Sequence, residues 1–187
     1  TLTGQFTDQG ATDTHTALVD WGDGTPLSTA TIDPVTRTIL ATHFYSDDDP
    51  SNTAIDQYRV QVFITDNFGA TGATPLGLFL EEIHNVRPDN LAVDLSRSVI
   101  DENDTIDLSG SFTDVGRFDS HEVSIDWGDE SPKTLLALPA SGALLSTIPL
   151  TQHRYLNNPS GSANSYTITA EVADDDEPLA PVTATRT

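Results

Sequence analysis

The 187-residue chain contains no cysteine, which removes disulfides, zinc–thiolate sites, iron–sulfur clusters and thiol catalysis together. Basic residues are also scarce. Eight lysines and arginines stand against 29 aspartates and glutamates, a formal net charge of −21. Such a field repels phosphate backbones and anionic headgroups, so no nucleic-acid partner is expected. Lys133 is the lone lysine, which leaves little for Schiff-base chemistry. No apolar run approaches the roughly 20 residues of a membrane-spanning helix. The opening TLTGQFTD lacks the basic and apolar regions of a signal peptide, and direct membrane insertion is not expected. There is no Gly-x-Ser-x-Gly elbow, no His-Glu-x-x-His and no phosphate loop, so the chain does not read as an enzyme.

What is present is aspartate and repetition. Twenty-two of the 29 acids are aspartate, a residue of turns, caps and hard-cation sites rather than of helix interiors. The two tryptophans sit in near-identical octets, VDWGDGTP at 19–26 and IDWGDESP at 125–132. Sliding the chain by 106 residues lays TLTGQFTDQGATDTHTALVDWGD over DLSGSFTDVGRFDSHEVSIDWGD, with 12 of 23 positions identical. Further on, HFYSDDDPS at 43–51 matches HRYLNNPS at 153–160, and YRVQVFITD at 58–66 matches YTITAEVAD at 166–174. Small offset changes fall between these blocks, as loop insertions in a repeat do.

Within each copy the hydrophobic period is two. Ala17, Val19 and Trp21 alternate with Thr16, Leu18 and Asp20, and Tyr58, Val60, Val62 and Ile64 with Arg59, Gln61, Phe63 and Thr65; Val123, Ile125 and Trp127, then Tyr166, Ile168, Ala170 and Val172, repeat the pattern. These are half-buried strands separated by Asp/Gly/Pro/Asn clusters, and they predict an all-β chain of two tandem immunoglobulin-like antiparallel β-sandwiches. The stretch LLALPASGALLS at 135–146 fits a helix or a strand. EEIHNVRPDNLAV joins the copies, which places the boundary near Asn85 to Pro88 and divides the chain into 1–85 and 86–187. Unit two is expected to begin with strands at Leu91–Leu95 and Val99–Asp101. Unit one, which opens at Thr1 opposite Asp107, is expected to lack the equivalent first strand, and unit two to be short of its last, as in a window cut from a longer array.

The order Trp-Gly-Asp-Gly, His-x-Tyr, then a Tyr-x-Val-x-Val strand ending in Asp resembles the PKD (polycystic kidney disease) domain family. Trp21 to Gly24, His43 to Tyr45, Tyr58 to Asp66 and Asn67 to Gly69 carry it in unit one. Trp127 to Asp129, His153 to Tyr155 and Tyr166 to Asp174 carry it in unit two. The FTDxGxxDxH lead-in is similar to a variant found in long bacterial and archaeal surface proteins. The resemblance implies immunoglobulin-like modules in an extracellular or cell-surface protein, serving as spacer, adhesion or assembly units whose partners are neighbouring repeats or other protein chains. A second reading is an accessory region of a secreted hydrolase that contacts polysaccharide or another substrate.

The repeated tryptophans read as packing devices, each on a central strand ended by a tight Gly-Asp turn. Glu130 replaces the second glycine of that turn in unit two, so it either adopts a positive φ at about 1 kcal/mol or the turn differs. Tyr58 and Tyr166 stand where a sandwich carries a corner tyrosine bonded to nearby backbone. The histidine pairs His15/His121 and His43/His153 fit packing near the tryptophan better than transition-metal ligation, and His84 has no evident partner. The serious candidate is calcium. If the strands ending at Asp114 and Asp174 share one end of the sandwich, Asp89, Asn90, Asp114, Asp119 and Asp174, with Asp175 beside them, converge as oxygen ligands. Some PKD-like domains bind calcium in a comparable region, as the resemblance implies. Asp8, Asp13 and Asp66 are the weaker set in unit one, and Asp47, Asp48 and Asp49 form a further acidic loop.

Overall fold

The structure is a computed structural model and describes residues 1–10, 12–48, 51–75, 77–159 and 165–187; Asp49 lies outside them. Every regular element among these residues is a β-strand, and all strand pairs are antiparallel. The chain forms two compact units, residues 1–50 with 55–84 and residues 51–54 with 85–187.

In the first unit β1 (Leu2–Gln5) pairs β4 (Thr38–Ala41), β4 pairs β3 (Ser28–Ile32), and β3 pairs β2 (His15–Asp20). The long β5 (Ile55–Asp66) lies on the other side of β2; its first half carries β7 (Phe79–His84) and its second half β6 (Thr71–Ala73). Period-two burial follows the sequence pattern. Ala17, Val19, Trp21, Val60 and Val62 point inward with Ile39 and Ala41 to form the core.

The second unit separates cleanly into two sheets. One orders β12 (Leu145–Arg154), β9 (Thr105–Thr113) and β8 (Asp89–Leu95); the other orders β11 (Thr134–Leu138), β10 (His121–Asp126), β13 (Ile168–Asp174) and β14 (Val182–Arg186). Val93, Ile106, Leu108, Phe112 and Ile148 from the first sheet meet Val123, Ile125, Trp127, Ile168, Ala170 and Val172 from the second, the two-layer packing of a β-sandwich. The β9–β12 ladder slips between Ile148 and Thr151. Pro149 lies in that gap, and its missing N–H suits an interrupted ladder.

Three local expectations change. The ambiguous 135–146 stretch is two strand ends around a turn, with Gly142 at φ +70°. Val99–Asp101 is not a strand but part of the loop between β8 and β9: Val99 is exposed and only Ile100 packs against the core, too little to bury a strand face. His84 closes β7 rather than lying in a linker, and its Nε2 is 2.9 Å from Glu82 Oε1.

Candidate metal centre

Each tryptophan organises one end of its unit. Trp127 is fully buried, donates Nε1–H to Thr134 Oγ1 at 2.9 Å, and stacks on His153 with centroids 4.6 Å apart and planes 8° apart. The His153 ring meets Tyr155 edge-on, and Tyr155 stacks on Tyr166. His153 Nε2 donates to Asp129 Oδ2 at 2.9 Å, and Tyr155 Oη–H donates to the Trp127 carbonyl at 2.8 Å. The first unit reproduces this with Trp21, His43, Tyr45 and Tyr58, including His43 Nε2 to Asp23 Oδ2 at 2.7 Å and Tyr45 Oη to the Trp21 carbonyl at 2.9 Å. His43 and His153 are thus interior packing groups.

Electrostatics follows the same geometry in both copies. Burial pushes the Asp23 and Asp129 carboxyls up, but hydrogen bonds from Thr25 and His43, and from Ser131 and His153, outweigh it and hold both below the ordinary carboxylate value. Burial, aided by the Asp23 charge, pushes the Tyr45 hydroxyl up to about 12, and burial beside Asp129 raises Tyr155 as well. The tyrosine that ties back to the tryptophan strand is therefore that of the His-x-Tyr block. Tyr166 still bonds backbone, at Asn157 O, 3.0 Å away. The signal for Tyr45 and Tyr155 was the His-x-Tyr spacing itself, which sets the two rings edge-on just past β4 and at the end of β12.

At the opposite end of β13 three carboxylates converge. Asp114 follows β9, Asp119 lies in the turn before β10, and Asp174 ends β13. Each is buried, and each offers an oxygen within 4.8 Å of the others. Such a group can hold a metal ion. Pairing of His121 with Asp174 across β10 and β13 sets the placement, because it brings the two strand ends level. His121 Nε2 donates to Asp114 Oδ2 at 2.9 Å, and Asp114 Oδ1 accepts the Gly116 N–H. Asp174 accepts the Glu177 N–H at Oδ1 and the Asn85 amide at Oδ2. Carboxylate oxygens each keep a second lone pair, so these bonds orient the group without saturating it.

Asp89 and Asp175 are not members of this carboxylate group among the described residues. Asp89 is exposed and turns its carboxylate onto the N–H of Asn90 at 2.7 Å, while the Asn90 side-chain amide donates to Thr113 Oγ1 at 3.0 Å. Asn90 has φ +56° within the register slip between Asp89 and Ala92, a distortion no sequence period announces. Asp175 accepts the Ser120 N–H at 2.9 Å. In unit one Asp8 repeats the histidine contact, 3.0 Å from His15 Nε2. Asp66 instead accepts the N–H groups of Phe68 and Ala70, and Asp8, Asp13 and Asp66 do not form a comparable carboxylate group among the described residues.

No protein-family profile matches the chain, and no curated protein matches its sequence.

Proposed function

We propose that this chain is a non-catalytic structural segment: two PKD-like immunoglobulin-type repeats of an extracellular surface protein, acting as spacer, adhesion or assembly modules. The observation that supports it best is the duplication of the Trp–His–Tyr–Tyr stack, residue for residue, in both units. The groups most suited to acid–base chemistry, the His–Asp pairs, are used in both copies as packed and hydrogen-bonded supports. Duplication of a support serves an array: the His15–Asp8 pair, which borders a groove in unit one, has its counterpart His121–Asp114 buried in unit two. The polysaccharide reading has no comparable support. The most exposed phenylalanines, Phe44, Phe68 and Phe118, lie in loops and not in a row on one sheet.

We infer calcium for the Asp114–Asp119–Asp174 group, whose donors are all hard carboxylate oxygens without a thiolate. A divalent cation there neutralises two of three closely spaced buried charges and ties the β9–β10 turn to the end of β13, stiffening unit two. Calorimetry with a calcium titration tests this. Binding confined to the native state raises the unfolding free energy of unit two by about 2.7 kcal/mol at a calcium concentration 100 times the dissociation constant. Asp119→Asn and Asp174→Asn should abolish the rise. An unchanged melting profile at millimolar calcium sinks the calcium assignment and leaves the structural reading to stand on the duplicated stack.

A further inference from the structure

Among the described residues β1 has a partner on one edge only, β4. Its counterpart β9 is paired on both, by β12 and by β8. In unit two β8 also lies against β14 and sends Val93 into the core, where it is 1% exposed. The corresponding space in unit one is an open groove of about 570 Å³, lined by β1, by β6 and the residues after it, and by Val62, Ile64 and Phe79. Side chains along it show what is missing. Leu108 and Phe112 are completely buried in unit two, whereas their equivalents Leu2 and Phe6 are only partly covered.

Gly4 supplies a second, independent sign. At Gly110, its equivalent, a Cβ would stand 2.5 Å from the carbonyl oxygen of Ala92 and 3.2 Å from Val93, so glycine is required there for the β8 backbone to approach. At Gly4 a Cβ would meet only the flexible end of Ile39, at 3.1 Å. The glycine that admits a neighbouring strand is thus present in unit one at the edge where no strand lies.

We propose that this groove is an acceptor for one extended polypeptide strand with the chemistry of β8: aliphatic side chains at alternate positions, small or polar residues between them. The strand runs antiparallel to β1. In unit two Ala92, Val93, Asp94 and Leu95 face Ser111, Gly110, Ser109 and Leu108; shifted by the repeat, the incoming residues face Gln5, Gly4, Thr3 and Leu2. The residue in the place of Val93 sits opposite Gly4 and fills the core beside Val62 and Ile64. Backbone hydrogen bonds to the open edge of β1 give affinity, and the alternating aliphatic side chains give register. Cation binding at the acidic trio of unit two plays no part in this.

The test uses the whole chain and a synthetic peptide with the sequence of Asp89–Ser98. Expected are saturable binding, slowed hydrogen exchange of the β1 amides, and a higher melting temperature for unit one. Gly4→Ala, whose methyl meets only the end of the Ile39 side chain in the free unit, should weaken binding at least ten-fold with the unit's melting in the absence of peptide measured alongside, and a peptide carrying Val93→Asp should not bind. Because a free short strand loses much entropy on binding, the same peptide is also joined to Thr1 through a copy of the Ser96–Asp104 loop, which raises its effective concentration to the millimolar range. Slowed exchange in either format, lost with Gly4→Ala, supports strand uptake. Absence of any effect in both formats overturns it, as does protection that survives Gly4→Ala. Light scattering that shows the peptide-free chain dimerising with the β1 amides already protected also overturns it, by giving the groove to a second copy.

Discussion

Asp8 and Asp114 occupy the same place in the repeat, and each bonds the ring of a histidine seven residues on, yet the Asp8 side chain is 27% exposed and that of Asp114 only 2%. Local sequence does not separate them, since FTDxGxxDxH is shared. The difference is β8. It pairs with β9 as far as Thr113, beside Asp114, and the segment leading into it brings Asn85 onto Asp174. One added strand closes the groove and completes the core, and the unit that has it is the one whose carboxylates are buried. Burial then strengthens the interaction of those carboxylates with any cation they hold, because water screens them less. In unit one the same acids are left nearer to solvent, and Asp66 folds onto its own turn.

The sharpest way to break this comparison is Val93→Asp. It places an unpaired carboxylate at a 1% exposed core position, which costs about 4 kcal/mol or more. Unit two should melt well below its normal temperature or lose β8 from the sheet, and any calcium response should go with it. Unit one should melt as before. A calcium response that survives the detachment of β8, followed by hydrogen exchange in Asp89–Leu95, would show that the strand is not what builds the acidic site.

Next in size are Trp21→Ala and Trp127→Ala, which test what the units share. Each indole is buried with its N–H satisfied, so each truncation should cost its own unit about 3–5 kcal/mol. Calorimetry of the two variants should show one transition displaced and the other unmoved. A clearly smaller loss in unit one would mean that the open groove lets its core collapse around the cavity.

Much of this organisation was legible in the sequence, and the parts that were not have a common cause. Strict alternation at Ala17–Trp21 and Val123–Trp127 reveals strands because burial on one face forces it. The convergence of Asp114, Asp119 and Asp174 was also readable, since the connection that leads into β10 must lie at the end of the sheet where its antiparallel partner β13 finishes. Asp89 and Asn90 were grouped with them from chain position alone. At a register slip with a left-handed Asn90, the Asp89 carboxylate accepts the Asn90 N–H and the Asn90 amide bonds Thr113, and neither the slip nor the left-handed residue leaves a periodic trace. The backbone bonds of Tyr45 and Tyr155, in place of Tyr58 and Tyr166, escape the sequence for a related reason. Their hydroxyl partner is a backbone carbonyl 24 or 28 residues away, a relation that depends on tertiary placement.

A smaller effect common to both units is acid weakening. Asp23 and Asp129 have folded-state carboxyls held below the ordinary value of 3.8. A carboxyl depressed by folding contributes stability that is present above the unfolded value and is lost as pH falls through the folded one. Both units should therefore lose this contribution together as the pH falls through the ordinary value of 3.8 and on through the lower folded-state value. In Asp129→Asn unit two should start lower and fall less steeply over that interval, while unit one keeps the original slope. Parallel slopes in the variant would show that Asp129 is not the group whose protonation weakens the unit.

The smallest effect concerns the turn after each tryptophan, where the copies differ by one residue. Gly24 has φ +77° and Glu130, its equivalent, φ +65°, so the turn is retained and the glutamate occupies the left-handed region. Open space surrounds a Cβ built at Gly24, which makes side-chain crowding irrelevant and leaves the backbone preference to decide. A left-handed L-residue costs roughly 1–2 kcal/mol; glycine gives back part of that, about 0.4–1 kcal/mol, through the larger entropy of its unfolded chain. Glu130→Gly should therefore stabilise unit two by about 0.5–1 kcal/mol. Gly24→Glu should destabilise unit one by a similar amount. Denaturant titration of the two variants, read at the separate transitions, measures both signs at once. Loss of stability in Glu130→Gly would mean that the glutamate side chain makes a compensating contact strong enough to outweigh its backbone strain.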